Sequence, residues 1–300
     1  MQSNIVVIGS CNTDMVIKSH KLPAPGETIL GGTFFMNPGG KGANQAVAAA
    51  RLGGKVTFIG KVGADIFGKQ ALQIFENEGI NAENISTDYD NPSGVALITV
   101  DKHAENCIVV APGANSALSK EDILNALPAI KKADILLLQL EIPLEVVDFV
   151  AQIARENNKK MILNPAPAAP LKSDLIQSLY LITPNKTEVE LLSGIYISDT
   201  DSMHRAALIL KEKGASNVII TLGKDGAYLL NDNFSELIPG IQVEALDTTA
   251  AGDVFNGALT LAISEGMDLK DAIIFAHKAS ALSVTRMGAQ SSIPYRKEIV

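Results

Sequence analysis

Short runs of uninterrupted apolar residues recur along the chain, separated by longer stretches in which apolar positions return every three or four residues. Ile5–Gly9, Val56–Gly60, Ile135–Leu140, Lys160–Asn164, Tyr180–Thr183 and Val218–Leu222 are continuously apolar rather than alternating, which predicts strands buried on both faces. Between them, one helix is predicted from about Ala43 to Leu52, stopped by Gly53-Gly54, and another near Ile66–Glu78, stopped by Gly79. Ser119 followed by Asp122 opens a third with a capping-box-like pair. Repeated strand–helix alternation predicts the α/β class: three layers, with a mostly parallel sheet flanked by helices on both faces.

Two stretches break this rhythm. Residues 11–37 and 93–112 hold short strand-like runs, Met15–Ile17, Thr33–Phe35, Val95–Val100 and Cys107–Val110, with turn chemistry such as Pro23-Ala24-Pro25-Gly26 and no convincing helix. β material that interrupts a parallel sheet twice predicts a separate small sheet, discontinuous in sequence, that acts as a lid. No linker divides the chain cleanly, so residues 1–300 read as one α/β domain carrying that inserted lid.

Composition narrows the partners. Of the 300 residues 47% are apolar and 19% charged, too apolar and too weakly charged for disorder. Lys and Arg number 25 against 33 Asp and Glu, a net charge of −8, which argues against nucleic acid as a partner. A small phosphate ligand stays open, because a local ring of backbone N–H groups can hold one. Cys11 and Cys107 cannot make a disulfide framework, which predicts a reduced compartment. The start, Met1-Gln2-Ser3-Asn4, lacks a basic signal-peptide n-region, and Ile135–Leu140 is far too short to span a bilayer. A soluble, cytoplasmic protein without a membrane partner is expected.

The strongest chemical signal is the block from Asp247 through Thr248-Thr249-Ala250-Ala251-Gly252-Asp253 to Gly257-Ala258, where small residues run straight into an apolar helix, Val254 to Ile263. A helix N-terminus offers unpaired N–H groups and a positive dipole end, and Ala250, Ala251 and Gly252 let an anion approach closely. Asp253 there is either a helix N-cap or a general base beside an anion hole. A second cluster, Asn37-Pro38-Gly39-Gly40-Lys41-Gly42-Ala43-Asn44-Gln45, precedes a helix of small residues, Ala46 to Ala50. It reads either as tight packing of that helix on the sheet or as a hydroxyl-binding surface with Lys41 and Asn44 as donors. It is not a Walker A loop, and the Gly9-Ser10-Cys11-Asn12 turn after the first strand is not a dinucleotide fingerprint.

These blocks resemble the ribokinase (PfkB) family of carbohydrate kinases, over essentially all 300 residues. The matching segments are Gly9-Ser10-Cys11-Asn12-Thr13-Asp14, Pro38 to Ala46, Asn164-Pro165-Ala166-Pro167, Thr183-Pro184-Asn185-Lys186-Thr187-Glu188, Thr221-Leu222-Gly223-Lys224-Asp225-Gly226 and Asp247 to Gly257. Two glycine-rich signatures in the family's order and spacing make the resemblance specific. By that resemblance Asn12, Thr13 and Asp14 bind sugar hydroxyls, with Gly40, Lys41, Gly42, Ala43, Asn44 and Glu141 lining the same pocket. A capped turn after the strand is the plainer alternative for Asn12 and Asp14. Asn185 and Glu188 resemble the family element that works near Mg²⁺ and the phosphates, with Glu188 holding the ion through waters; a surface-helix glutamate is the plainer alternative. Thr221 to Gly226 resemble the nucleotide-binding turn, and His277 aligns with a position bordering adenine, although a lone helical histidine more often only packs.

The resemblance also implies a monovalent cation, normally K⁺, beside the anion hole. Its ligands are the Asp247 side chain, backbone oxygens of Thr249, Ser283, Arg286 and Gly288, and the Ser292 hydroxyl. The implied reaction is in-line phosphoryl transfer from ATP·Mg²⁺ to the 5-hydroxyl of D-ribose by a homodimer paired through its lids. Asp253 takes the hydroxyl proton and the N–H groups of 250–253 hold the phosphoryl oxygens. Another kinase of the family, acting on deoxyribose, a nucleoside or a ketohexose, is the nearest alternative. A sugar-binding regulator without chemistry is a further one, and a Rossmann oxidoreductase is disfavoured by the missing G-x-G-x-x-G.

Overall fold

The apolar runs become the centre of a nine-stranded sheet in the computed structural model, which describes residues 3–103 and 105–299. Along the chain the strands are β1 (Asn4–Ile8), β2 (Asn12–Lys18), β3 (Thr33–Gly39), β4 (Lys55–Gly63), β5 (Asn81–Asp88), β6 (Gly94–Val100) and β7 (Asn106–Ala111). There follow β8 (Ile135–Leu138), β9 (Lys160–Leu163), β10 (Leu181–Ile182), β11 (Asn217–Thr221), β12 (Ala227–Leu230) and β13 (Ser235–Ile238). The large sheet runs β13-β12-β11-β10-β9-β8-β1-β4-β5. Its pairs are parallel except at β11–β12 and β12–β13, where a hairpin closes one edge.

Helices cover both faces because strand residues alternate between them. The helices are α1 (Lys41–Arg51), α2 (Ile66–Asn77), α3 (Lys120–Asn125), α4 (Leu127–Lys132), α5 (Leu144–Glu156), α6 (Ser173–Gln177), α7 (Lys186–Ser193), α8 (Thr200–Glu212), α9 (Ala251–Ser264) and α10 (Leu269–Ser283). Ile5 and Val7 of β1 pack with α1, α2, α9 and α10, whereas Val6 and Ile8 pack with the layer built from α3 to α8. No helix among the described residues is long and apolar enough to cross a membrane.

The second sheet has four strands in the order β3-β2-β6-β7, drawn from the two stretches that interrupt the helical rhythm. Along it Met15 lies opposite Met36 and Leu97, Ile17 opposite Phe34, and Leu97 opposite Val109, so these side chains share one face. Ile17, Phe34, Met36, Leu97 and Val109 are exposed there.

Three boundaries differ from the sequence expectation. Helix α1 starts at Lys41 rather than Ala43, because Gly40 takes φ 88° and turns the chain off β3 directly into the helix. Strand β8 stops at Leu138, and the Leu140 N–H turns away to the Ala166 carbonyl at 2.9 Å. Helix α9 starts at Ala251, so Asp253 stands inside its first turn and is not the N-cap; Ala250 holds that position at φ 60°. A left-handed alanine costs roughly 1–2 kcal/mol. The hairpin β12–β13 and the edge strand β5 lie outside the sequence expectation; β5 mixes buried, half-buried and exposed positions without a clean period.

Candidate active site

The two glycine-containing blocks, far apart in sequence, meet where α1 and α9 begin. Asp253 is buried, and its carboxylate accepts on both oxygens: Oδ2 from Asn44 Nδ2 at 2.9 Å and Oδ1 from Gln45 Nε2 at 3.0 Å. Burial pushes the Asp253 carboxyl up, while the Lys41 ammonium and the Asn44 and Gln45 donors oppose that shift. The Asn44 Oδ1 atom is itself buried with no partner among the described residues. A buried carbonyl oxygen without a partner beside a carboxylate leaves a hydrogen-bonding demand unmet.

Four carboxylates surround one cation. Asp14, Glu141, Glu188 and Asp253 all act on Lys41, and together they outweigh the burial that would otherwise strip its proton. Asp14 is pushed up to about 6 by burial and by the charges of Glu141 and Asp253. Glu141 is tied down structurally: its Oε2 accepts from Ser10 Oγ at 2.5 Å and from the Lys41 N–H at 3.0 Å, an acid at the positive end of α1. The chain closes tightly around Asp14, since a Cβ on Gly39 would fall 2.3 Å from its Oδ2.

Asn12 and Thr13 stand somewhat apart from this group. Asn12 Oδ1 accepts from Asn115 Nδ2 at 2.8 Å, and Thr13 points to the opposite face of β2 from Asp14. With Ala43 they line a second, largely apolar cavity of about 370 Å³ against Phe67, Ile74 and Phe75.

At the start of α9 the Ala251 N–H is taken by the Thr248 carbonyl at 3.2 Å. The N–H groups of Gly252 and Asp253 donate to no described residue, and a Cβ on Gly252 would meet nothing within 4 Å. Two N–H groups without a described partner, beside a buried carboxylate, offer the kind of donors that an anion takes at a helix N-terminus.

A cavity of about 410 Å³ is lined by Asn185, Thr221, Leu222, Gly223 and Asp225 among the expected nucleotide-turn residues, and by none of residues 250–253. Lys186, Ser198, Met203 and Leu237 line it as well. Lys224 and Gly226 shape the turn: the Lys224 carbonyl accepts from Gln242 Nε2 at 2.8 Å, and Gly226 has φ 106°. His277 does not line this cavity; it is buried, 5.4 Å between ring centroids from Phe255, with its pKa lowered by burial. Asn185 and Glu188 form a reciprocal helix cap on α7. The Glu188 carboxylate accepts from Asn185 N at 2.8 Å and Nδ2 at 2.9 Å, while Glu188 N donates to Asn185 Oδ1 at 2.9 Å. A carboxylate so occupied suits a metal held through water rather than directly.

The expected cation loops converge. Asp247 Oδ1 accepts from Thr249 N at 2.9 Å and Oγ1 at 2.6 Å, and Oδ2 accepts from Gly288 N at 2.8 Å. Burial pushes Asp247 up, but these donors outweigh it and hold the carboxyl below its usual range. The Ser283 carbonyl accepts from Arg286 N at 3.0 Å, and Ser292 Oγ donates to the Ala289 carbonyl at 2.8 Å. Asp247 thus joins the 247–249 turn to Gly288, and carboxylate, carbonyl and hydroxyl oxygens are donors suited to a hard cation.

Several residues here have no role assigned by the sequence patterns. Gln139 and Asn164 follow apolar strand runs and turn inward behind Gln45. Thr183 Oγ1 donates to Asn256 Oδ1 at 2.6 Å, and Asn256 Nδ2 to the Gly252 carbonyl at 2.8 Å, which holds the first turn of α9. A polar residue immediately after a buried strand was the available signal.

The sequence matches the pfkB family carbohydrate kinase model over residues 2–296. The chain is 46% identical to a ribokinase of Haemophilus influenzae, across 99% of this chain and 97% of that protein. It is 38% identical to a deoxyribokinase of Salmonella typhi, across 97% and 95%. Its fold superposes on the structure of Arabidopsis thaliana ribokinase complexed with ribose and ATP with a TM-score of 0.92, at 30% identity, covering 100% and 98%.

Proposed function

The chain belongs to the pfkB family of carbohydrate kinases, and from that premise we propose that it transfers the γ-phosphoryl group of ATP to the 5-hydroxyl of D-ribose. The observation that carries this reading is the buried Asp253 carboxylate, held on both oxygens, beside two free N–H groups at the start of α9. The sugar is named by the ribokinase of 46% identity, and the deoxyribokinase of 38% makes 2-deoxyribose the alternative acceptor.

Asp253 takes the hydroxyl proton as the oxygen attacks phosphorus; its raised pKa makes it a stronger base than an exposed carboxylate. The N–H groups of Gly252 and Asp253 then meet the phosphoryl oxygens as charge develops on them. Asn44 Oδ1, Lys41, Asp14 and Glu141 orient the sugar, with Asn12 at its edge. The adenine nucleotide lies in the cavity of about 410 Å³ between Asn185 and Asp225. A divalent ion, Mg²⁺, would be held through water at Glu188 and would supply charge neutralisation on the phosphates. K⁺ would sit among Asp247, Thr249, Ser283, Arg286, Gly288 and Ser292, and would stiffen the loop leading into α9 without touching substrate.

The exposed apolar face of the small sheet fits a second copy of the chain, giving a homodimer paired through its lids. The free cysteines, buried Cys11 and exposed Cys107, suit the reduced, ATP-supplied cytoplasm. The reading is tested by ADP release from ATP·Mg²⁺ with D-ribose, 2-deoxyribose, fructose and adenosine, with and without K⁺. Preferred, K⁺-stimulated turnover of ribose is expected. Preference for another acceptor overturns the sugar assignment, and no turnover with any acceptor overturns the kinase reading.

A further inference from the structure

We propose that Gln45 is a positioning residue, which fixes the Asp253 carboxylate for proton abstraction through a buried chain of side-chain amides. The inference rests on Asp253 serving as the base. Gln45 is 0% exposed, so it cannot touch substrate. Its Nε2 donates to Asp253 Oδ1 at 3.0 Å and to Asn164 Oδ1 at 3.0 Å, and its Oε1 accepts from Gln139 Nε2 at 2.5 Å.

The direction of this chain is dictated chemically. An ionised carboxylate only accepts, so the NH₂ of Gln45 must face Asp253. Its Oε1 then faces away, and Gln139 must present its own NH₂ to it. That leaves Gln139 Oε1 buried with no partner among the described residues, pressed against Gly9, where a Cβ would fall 2.1 Å from it. An apolar side chain at 139 would avoid the unsatisfied carbonyl. Packing alone therefore does not account for Gln139, whereas holding Gln45 in one orientation does.

Four elements meet in this network: α1 supplies Gln45, β8 leads into Gln139, β9 leads into Asn164, and α9 carries Asp253. Asn44 holds the other carboxylate oxygen, so Asp253 is gripped by two neighbouring amides of α1, of which Gln45 is the fully buried one. The charged groups acting on Asp253 include Lys41 of α1 and Glu141 after β8, and Asp253 in turn acts on Asp14 of β2 and Glu188 of α7. None of these is removed by changing Gln45.

The experiment compares Gln45→Met, which keeps the shape and loses the donor, with wild type at saturating ATP·Mg²⁺ and sugar across pH. In the variant kcat should fall by roughly 10–100-fold, as for a misplaced catalytic group, with KM for both substrates little changed. The acidic limb of the kcat profile should move to higher pH, because Asp253 loses a donor to its charged form. A folded variant with wild-type kcat and acidic limb overturns the proposal, as does a loss of activity with an unmoved limb, which marks a merely structural role. Should Gln45→Met fail to fold, Gln139→Leu decides: a smaller change in the same direction supports the chain, and wild-type behaviour overturns it. Asp253→Asn is measured alongside. Near-normal turnover there defeats the base assignment itself, whereas an inactive Asp253→Asn beside a wild-type Gln45→Met defeats only the role of Gln45.

Discussion

Asn44 donates from Nδ2 to Asp253 Oδ2 at 2.9 Å across 209 positions of sequence, and its own Oδ1 is left buried without a partner among the described residues. One side chain thus ties the start of α1 to the first turn of α9.

Asp253→Asn removes the proton acceptor with little change of shape. The expected outcome is a kcat lowered by roughly 10²–10⁴-fold, with calorimetric affinities for ATP and ribose close to wild type. Near-normal turnover would remove Asp253 from the role of base.

Asp14 titrates at about 6 in the folded protein against 3.8 in the unfolded chain. Between those values the folded state carries a proton that the unfolded chain does not, so the stability linked to this group is present below pH 3.8 and is lost as pH rises through 6. Asp14→Asn should therefore stabilise the free enzyme by up to about 3 kcal/mol at pH 8, read by urea unfolding, and the gain should vanish near pH 4. A pH-independent difference between the two proteins would contradict the assignment. If sugar binds the anion, wild-type affinity should also weaken by about tenfold per pH unit below 6.

Gly42 and Gly252 separate fold from function. A Cβ on Gly42 would fall 2.6 Å from the Ser10 nitrogen and 2.7 Å from the Gly9 carbonyl carbon, backbone that cannot yield. Gly42→Ala should destabilise by roughly 1–3 kcal/mol and draw Asn44 and Gln45 away from Asp253. Gly252→Ala meets open space, so its thermal midpoint should hold or rise slightly, while kcat falls because the methyl group intrudes where the phosphoryl oxygens approach. Full activity in Gly252→Ala would argue against an anion hole there.

Asp247→Ala deletes the acceptor that joins the 247–249 turn to Gly288. The rate should lose most of its response to K⁺, measured by titrating KCl against a choline background. An unchanged K⁺ response would take Asp247 out of the cation site.

A carboxylate placed on the apolar face of the small sheet tests assembly. Leu97→Glu and Val109→Glu should shift sedimentation from dimer towards monomer, because the two residues are 54% and 68% exposed in the single chain. A dimer persisting in both variants would locate the interface elsewhere.

By itself the sequence determined the α/β class, the central strands, the interrupting β stretches and the two glycine-containing blocks. Apolar runs such as Ile135–Leu138 can be satisfied only by burial on both faces, and glycine turns are local in their demands. Tertiary structure decided what local pattern cannot hold. It put Asp253 inside the first turn of α9 rather than at its cap, committed Glu188 to capping α7, and buried His277 against Phe255. It alone brought Gln45, Gln139 and Asn164 behind Asp253, from strand and helix ends 94 and 119 residues apart. A hydrogen bond between buried side chains leaves no periodicity in either segment, so its partners become visible only when the sheet sets its strand ends side by side.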